Sequence, residues 1–131
     1  KVALVIGSPG GSRIITTVLE VILNMVDHGM DVQAAIDAPR IHMQWQPDVI
    51  FVEPFAVSAD TARLLQARGY TLKEDEPWSI ADGIAVGGPT LGGPGGQAGH
   101  ALSLGLPPLA GATLFGGHDS RQPGGSAAPV R

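Results

Sequence analysis

Cysteine is absent from the 131 residues, which excludes a disulfide framework, a thiolate zinc site and a cysteine nucleophile. Basic residues are also few, because eight Lys and Arg stand against twelve Asp and Glu, for a formal net charge of −4. Without a basic patch, nucleic acids and anionic membrane surfaces are poor candidates for partners. No apolar run approaches the roughly 18 residues that a membrane-spanning helix requires.

No signal peptide is visible either, and the sequence begins at Lys1, without a Met, inside a strand-like run. We interpret it as part of a longer protein, so the missing targeting signal says little about location. The length suits one domain over residues 1–131, able to bury roughly two thirds of its unfolded surface. Thirteen of the 19 Gly and six of the 11 Pro lie after Val86. We therefore predict a Gly- and Pro-rich insertion at about residues 87–111.

Apolar patterns and their boundaries predict three helices and five strands. The continuous aliphatic run Lys1–Ile6 is typical of a strand covered on both faces. From Ile14 to His28, apolar residues occupy most of the circumference, which predicts a mostly buried helix with Ser12 as its N-cap. Further predictions are helices capped by Asp31 and by Ser58, strands at Asp48–Glu53, Tyr70–Lys73, Ser79–Val86 and Thr113–Phe115, and polar loops at Arg40–Pro47, Glu74–Glu76 and Gly116–Arg121.

The turn Gly7–Arg13, which joins the first strand to the first helix, organises the rest of the chain. Gly10 and Gly11 carry no Cβ, so the main chain there can take unusual φ and ψ values and approach another group closely. The first N–H groups of the following helix lack intrahelical partners and lie at its positive end, which favours an anion or a developing oxyanion. The pattern fits an oxyanion hole formed by Gly10 and Gly11, and it equally fits a tight turn without a ligand.

The residue spacing in this chain does not match other known catalytic motifs. A phosphate-binding P-loop requires Lys followed by Ser or Thr after its last glycine, whereas Gly11 is followed by Ser12 and Arg13. The glycines do not fit a dinucleotide fingerprint, and no serine lies in the pattern of a nucleophile elbow. We therefore expect no cofactor, and the chain offers a candidate oxyanion hole without an activated nucleophile. An oxyanion hole without a nucleophile suggests that this chain supplies only half of a catalytic site.

The histidines lack the spacing of metal ligands, so no metal is expected and structural roles are favoured. We expect His28 to complement the dipole at a helix end and His42 to pack against its surroundings. His118 is expected to join Asp119 and Arg121 in a salt-bridged turn. The fourth histidine is His100, which lies in the predicted insertion.

Three motifs in order resemble the small subunit of the γ-glutamyltranspeptidase family. Gly7–Leu19 is similar to a signature near the end of that subunit, and Asp27–Asp31 followed by Ala38–Trp45 continues the similarity. Gly116–Gly125 resembles the family's final turn. The resemblance extends over residues 2–86 and then 113–125.

The resemblance implies an α+β fold, part of the four-layer αββα sandwich of N-terminal-nucleophile hydrolases, made by self-cleavage of a precursor. The free amino group of a Thr then activates its own hydroxyl. This enzyme class transfers the γ-glutamyl group of glutathione-like donors to an amino acid, a peptide or water. By position in the motif, Gly10 and Gly11 correspond to the oxyanion hole. The implied partners are the large subunit and the N-terminal part of the small subunit, and the implied location is periplasmic or extracellular.

The sequence departs from the family pattern in several ways. The nucleophilic Thr and the residues that hold the glutamyl group lie upstream in the family, and neither Thr16 nor Thr17 has a free amine. Met43 stands where the family usually has a second histidine. We expect the chain alone to lack transferase activity and to be poorly soluble. The alternatives are a catalytically silent interaction module, or an anion-binding domain that uses the helix Ser12–His28.

Overall fold

The computed structural model describes residues 2–87 and 114–123, which contain three helices and six strands in two small sheets. In chain order they are β1 Leu4–Gly7, α1 Arg13–Val26, α2 Val32–Asp37, β2 Ile41–His42, β3 Ile50–Val52, α3 Ala59–Ala67, β4 Leu72–Glu74, β5 Asp82–Val86 and β6 Leu114–His118. The predicted mixture of helices and strands is confirmed, and the αββα sandwich stays a prediction. None of these helices is long and apolar enough to cross a membrane.

The first sheet has the strand order β1–β5–β6 and is antiparallel throughout. Its register places Gly7 beside Asp82 and Asp82 beside His118, so the start of β5 lies between the end of β1 and the end of β6. Helices α1 and α2 pack against this sheet. The buried core formed by these elements contains Val21, Met25, Val32, Ala35, Ile36, Ala81 and Ala85.

The second sheet has the order β2–β3–β4, in which β3 pairs antiparallel with β2 and parallel with β4. Helix α3 lies in the connection from β3 to β4, as a parallel pair requires. Because β2 contacts α1, that helix touches both sheets.

The first strand is not covered on both faces by the described residues, so that prediction is wrong for this part of the chain. Leu4 and Ile6 point towards the helices and are partly buried, whereas Val5 is 57% exposed. The cause is the antiparallel sheet, which has helices on one face only. The outer face also carries Ile84 and Leu114, which are similarly exposed.

The described residues bury helix α1 along one side only, so they do not bear out the prediction of a mostly buried helix. Thr17, Val21 and Met25 are buried, whereas an outer stripe is exposed. Its large apolar members are Ile15, Leu19, Leu23 and Val26. Tertiary partners decide burial, and the described residues supply them on one side of the helix.

The N-cap predictions are confirmed for α2 and α3 but not for α1. Asp31 and Ser58 cap α2 and α3, and each side chain accepts a backbone N–H, from Ala34 (2.8 Å) and Thr61 (3.1 Å) respectively. Ser12 precedes α1 as predicted, but it has helical dihedral angles and no side-chain capping bond. An extended N-cap geometry is what lets a serine side chain reach the following amides.

The three predicted polar loops differ from the structure in part. Two residues of Arg40–Pro47 form β2, three residues of Gly116–Arg121 belong to β6, and Glu74 ends β4. The cause is long-range strand pairing, which adds residues to strands beyond their own apolar runs. The predicted insertion at 87–111 lies outside the described residues apart from Gly87, as does the tail after Pro123.

Candidate functional site

The connection from β1 to α1, residues Ser8–Ser12, is termed the glycine loop here. Gly10 has φ 137° and Gly11 has φ 62°, and both values lie where L side chains are disfavoured. Both residues are solvent-exposed. Among the residues that the structure describes, neither amide nitrogen has a hydrogen-bond acceptor. The two N–H groups are therefore free to donate to an external oxygen.

The carbonyl groups of the same two glycines begin helix α1. Gly10 O accepts from Arg13 N, and Gly11 O accepts from Ile14 N, both at 3.2 Å. Helical carbonyls point along the chain direction and helical amides point back towards the N-terminus. Gly10 and Gly11 precede the helix with positive φ values, so their N–H groups take no part in its hydrogen-bond ladder. The assignment of Gly10 and Gly11 as an oxyanion hole stays a prediction that this geometry fits.

The two glycines are required for different reasons. A Cβ on Gly10 would overlap Ser79 Oγ and would lie 3.3 Å from Ser79 Cβ, so Gly10 has neither the dihedral angles nor the space for a side chain. A Cβ on Gly11 would meet no atom within 4 Å. Only the backbone conformation restricts Gly11.

Arg13, the first residue of α1, anchors the glycine loop to the second sheet. Its Nη2 donates to Asp75 Oδ2 at 2.7 Å, and its guanidinium lies 4.6 Å from the centre of the Trp78 ring. The hydrogen bond from Arg13 lowers the pKa of Asp75. Asp75 lies in a partly exposed loop, as predicted, and the ion pair with Arg13 is a contact that the sequence did not indicate.

Three buried charged residues and one partly buried arginine form what we term the arginine cluster: Arg40, Glu53 and Asp119, with Arg121. Arg40, Glu53 and Asp119 are each at most 3% exposed. Arg40 Nη2 donates to Asp119 Oδ2 at 2.6 Å, and Arg121 Nη1 donates to Asp119 Oδ1 at 3.0 Å. Arg121 also pairs with Glu53. Two cations balance two anions, which is the condition under which buried charges are tolerated.

Besides pairing its own charges, the arginine cluster holds the backbone of residues 78–81. Arg40 Nη1 donates to the carbonyl oxygens of Trp78 (2.8 Å) and Ser79 (3.1 Å), while Asp119 Oδ2 accepts from Ala81 N (2.8 Å). Burial alone would raise the pKa of Asp119, but the hydrogen bonds from Arg40, Ala81 and Arg121 outweigh it and lower the pKa. The segment beside Gly10 is thus tied to an ionic centre in which two arginines balance two carboxylates.

The structure confirms the role predicted for His42 and changes the one predicted for His118. His42 is buried, with its Nδ1 2.8 Å from Thr16 Oγ1, which confirms the packed role. The pair between Asp119 and Arg121 is confirmed, but His118 lies against Asp82 instead, with Nδ1 2.6 Å from Oδ1. The cause is the register of β5 and β6, which sets these two residues opposite each other. His100 lies outside the described residues, and within them no three His, Asp or Glu side chains could hold a metal ion.

Glu20, on α1, is a further ionisable group that sequence patterns did not single out. Its Oε1 accepts from Ile41 N at 2.8 Å, while Oε2 is buried and has no partner among the described residues. Burial raises the pKa of Glu20 to about 7, despite the opposing hydrogen bond from Ile41 and the positive charge of Arg40.

The sequence also left Arg40, Glu53 and Ser79 unassigned. Arg40 was placed in a polar loop, because a single arginine after a proline carries no sign of burial. The available signal was that each of the three recognised motifs contains an arginine, while Glu53 ends an apolar strand. Buried arginines need carboxylate partners. No pattern signals Ser79, whose relevance depends on its contact with Gly10.

Comparison with known proteins agrees with the resemblance seen in the motifs. A sequence profile of the family described as Gamma-glutamyltranspeptidase matches residues 1–100. The chain is 47% identical over 93 residues to the glutathione hydrolase proenzyme of Pseudomonas sp. (strain A14), covering 71% of this chain and 16% of that protein. It is 48% identical over 87 residues to the glutathione hydrolase proenzyme of Escherichia coli (strain K12), covering 66% of this chain and 15% of that protein.

Solved structures give the same result. The T380A mutant of Helicobacter pylori gamma-glutamyltranspeptidase superimposes with a TM-score of 0.73 at 38% sequence identity, covering 93% of this chain and 55% of that chain. The chain thus spans about one sixth of the length of its curated relatives and about half of the structural one. The profile match covers most of the sequence, and the chain belongs to the gamma-glutamyltranspeptidase family.

Proposed function

We propose that this chain supplies the oxyanion hole of an enzyme that transfers or hydrolyses the γ-glutamyl group of glutathione-like donors. The observation that carries the proposal is the pair of exposed N–H groups of Gly10 and Gly11, which have no acceptor among the described residues and lie at the positive end of α1. Membership of a family that includes glutathione hydrolases supplies the reaction class.

The proposed reaction places the attacking group outside this chain. The hydroxyl of an N-terminal Thr adds to the γ-carbonyl carbon of the donor, while its proton passes to the free amino group of the same Thr. The carbonyl oxygen becomes an anion and accepts hydrogen bonds from Gly10 and Gly11. Collapse of the intermediate breaks the C–N bond and releases the protonated amine. An amino acid or water then displaces the Thr oxygen from the γ-glutamyl ester.

Hydrogen bonds from Gly10 and Gly11 can supply the transition-state stabilisation that an oxyanion hole provides. Loss of one oxyanion donor costs about 3–4 kcal/mol of transition-state stabilisation. That effect needs amides fixed before the reaction begins, so that little reorganisation remains. The anchoring of Arg13 on one side of the glycine loop and of Ser79 on the other is consistent with this requirement.

The rest of the site is proposed to come from the remainder of a precursor, which includes a large subunit and the N-terminal part of the small subunit. Two apolar surfaces of this chain support the proposal. One is the outer face of the first sheet, with Val5 57% exposed, and the other is the outer stripe of α1, with Ile15 76% exposed. Contiguous apolar surface of this kind is typical of an interface.

The first experiment compares the isolated chain with a chimera. In the chimera, residues 1–131 of this chain replace the matched 87-residue segment of the Escherichia coli proenzyme together with the sequence that follows it. We expect no release of p-nitroaniline from γ-glutamyl-p-nitroanilide by the isolated chain, and clear release by the chimera. A chimera that self-cleaves but has no activity would contradict the proposal and favour the silent interaction module.

The second experiment tests the oxyanion hole itself with two matched variants of the chimera. Gly11→Ala keeps the N–H but strains a residue at φ 62°, whereas Gly69→Ala imposes similar strain at φ 94° beside α3. Neither added Cβ meets an atom within 4 Å. We expect Gly11→Ala to lower kcat roughly tenfold or more with KM within about twofold, and Gly69→Ala to leave kcat unchanged. Equal effects of the two variants would contradict the assignment of Gly11.

A further inference from the structure

Ser79, just before β5, has a backbone conformation that is unusual for a residue with a side chain. Its φ is 56°, in the left-handed region that favours glycine. A residue remains there only where its surroundings hold it. The preceding residue, Trp78, is buried and donates its N–H to Glu53 Oε1 at 3.0 Å.

The arginine cluster holds Ser79 from the carbonyl side. Arg40 Nη1 donates to Ser79 O at 3.1 Å, and the guanidinium of Arg40 is itself fixed by Asp119 at 2.6 Å. Two residues further on, Ala81 N donates to Asp119 at 2.8 Å. The same buried carboxylate therefore fixes the main chain on both sides of Ser79.

The side chain of Ser79 meets the glycine loop. Ser79 Oγ is buried and has no hydrogen-bond partner among the described residues. It occupies the place that a Cβ on Gly10 would take, and Ser79 Cβ and Cα lie 3.3 and 3.7 Å from that place. A hydroxyl that makes no hydrogen bond there contributes by contact with Gly10.

We propose that Ser79 is a positioning residue that transmits the fixed geometry of the arginine cluster to Gly10. The proposal rests on the oxyanion-hole function proposed above. With Arg40 holding its backbone, the Ser79 side chain limits the orientations open to the Gly10 peptide group. It thereby aims the Gly10 and Gly11 N–H groups at the position that the oxyanion will occupy.

A purely structural role makes the opposite prediction for one substitution. Ser79→Gly relieves the strain at φ 56° and removes the contact with Gly10 at the same time. If Ser79 only fills space, the variant keeps or gains stability and keeps its activity. If Ser79 positions the loop, kcat falls even though the protein is no less stable.

The activity test uses Ser79→Gly and a matched control, Phe55→Gly, in the chimera. Phe55 also has positive φ, 67°, and is 95% exposed, so its replacement relieves similar strain on the surface. We expect Ser79→Gly to lower kcat roughly tenfold with KM within about twofold and an unchanged melting temperature. Ser79→Ala, which retains Cβ, is expected to recover part of kcat. Unchanged kcat in Ser79→Gly would overturn the proposal.

A double-mutant cycle with Gly10 sharpens the test. Gly10→Ala creates an overlap with Ser79 Oγ, which Ser79→Gly removes. We expect Ser79→Gly to lower kcat when Gly10 is intact and to raise kcat in the Gly10→Ala background. Additive effects would overturn the direct contact between the two residues.

A measurement on the chimera in the absence of substrate separates this proposal from the proposed function. Selective ¹⁵N-glycine labelling reports the amide resonances of Gly10 and Gly11 without any substrate. We expect Ser79→Gly to shift both resonances and Phe55→Gly to shift neither. Shifted resonances with an inactive chimera would support positioning and reject the oxyanion function. Unshifted resonances would overturn the positioning role, whatever the activity.

Discussion

Replacing Asp119 by Asn tests whether the arginine cluster holds the fold together. Asp119 is fully buried, and its carboxylate accepts from Arg40 (2.6 Å), from Ala81 N (2.8 Å) and twice from Arg121 (3.0 Å each). Both oxygens face donors, so the NH₂ group of Asn would point at a donor in either orientation. The substitution also leaves two arginines with one carboxylate, Glu53.

The expected loss follows from burial. Breaking a buried ion pair by removing one partner costs about 3–5 kcal/mol, because a charge is left buried and uncompensated. Domains have total stabilities of about 5–15 kcal/mol, so the Asp119→Asn variant should lose a large share of its stability. The matched control is Asp60→Asn, which breaks the pair with Arg63, whose two side chains are 80% and 74% exposed. An exposed pair contributes about 0.2–1 kcal/mol.

Urea unfolding followed by tryptophan fluorescence provides the measurement, because Trp78 is 7% exposed and its backbone N–H donates to Glu53 of the cluster. We expect the unfolding midpoint of Asp119→Asn to fall steeply and that of Asp60→Asn to change little. The lowered pKa of Asp119 implies that its contribution is present at neutral pH and is lost as the pH falls through that pKa. Similar midpoints for the two variants would refute the reasoning.

Three further outcomes are expected. Gly117→Ala should lower the free energy of unfolding in urea by about 1–3 kcal/mol, because the new Cβ would lie 2.8 Å from a side-chain atom of α2 and 3.1 Å from the backbone of α2. The control Gly83→Ala should lower it less, because its Cβ would have no contact under 3.4 Å. Because burial raises the pKa of Glu20 to about 7, stability should fall as the pH rises from 4.5 towards 7, and Glu20→Gln should remove that part of the slope. The hydrogen bond to Asp82 raises the pKa of His118, so its stabilising contribution should be lost as the pH rises through that pKa, and an NMR titration of Asp82→Asn should show a lower histidine pKa.

Local signals in the sequence predict the parts of the fold that depend on neighbouring residues. Asp31 and Ser58 cap their helices as expected, because a capping side chain reaches an amide only three residues away. Gly29 and Gly69 follow the ends of α1 and α3 with φ values of 66° and 94°, again for a local reason. The turn Gly7–Arg13 belongs to the same class, since glycine spacing and the following helix are both readable from sequence.

Burial and long-range pairing are the parts that could not be predicted. The apolar circumference of α1 indicates how much of the helix is suited to burial, but not which partners are present to bury it, as the 76% exposed side chain of Ile15 illustrates. Arg40 pairs with a residue 79 positions away, a separation for which single-sequence patterns carry no information. The contact of Ser79 with Gly10 is likewise a product of the fold.

The glycine loop and the arginine cluster are stabilised in different ways, and this difference explains why they lie together. Under the proposed function the exposed amides receive an oxyanion, so permanent hydrogen bonds cannot stabilise them, because such bonds would occupy the donors. The glycine loop must therefore be held through contacts that leave Gly10 N and Gly11 N free. The arginine cluster, in which both carboxylates are paired, provides that rigidity from a distance through the residues 78–81. Weakening the cluster should consequently impair the loop before it unfolds the chain.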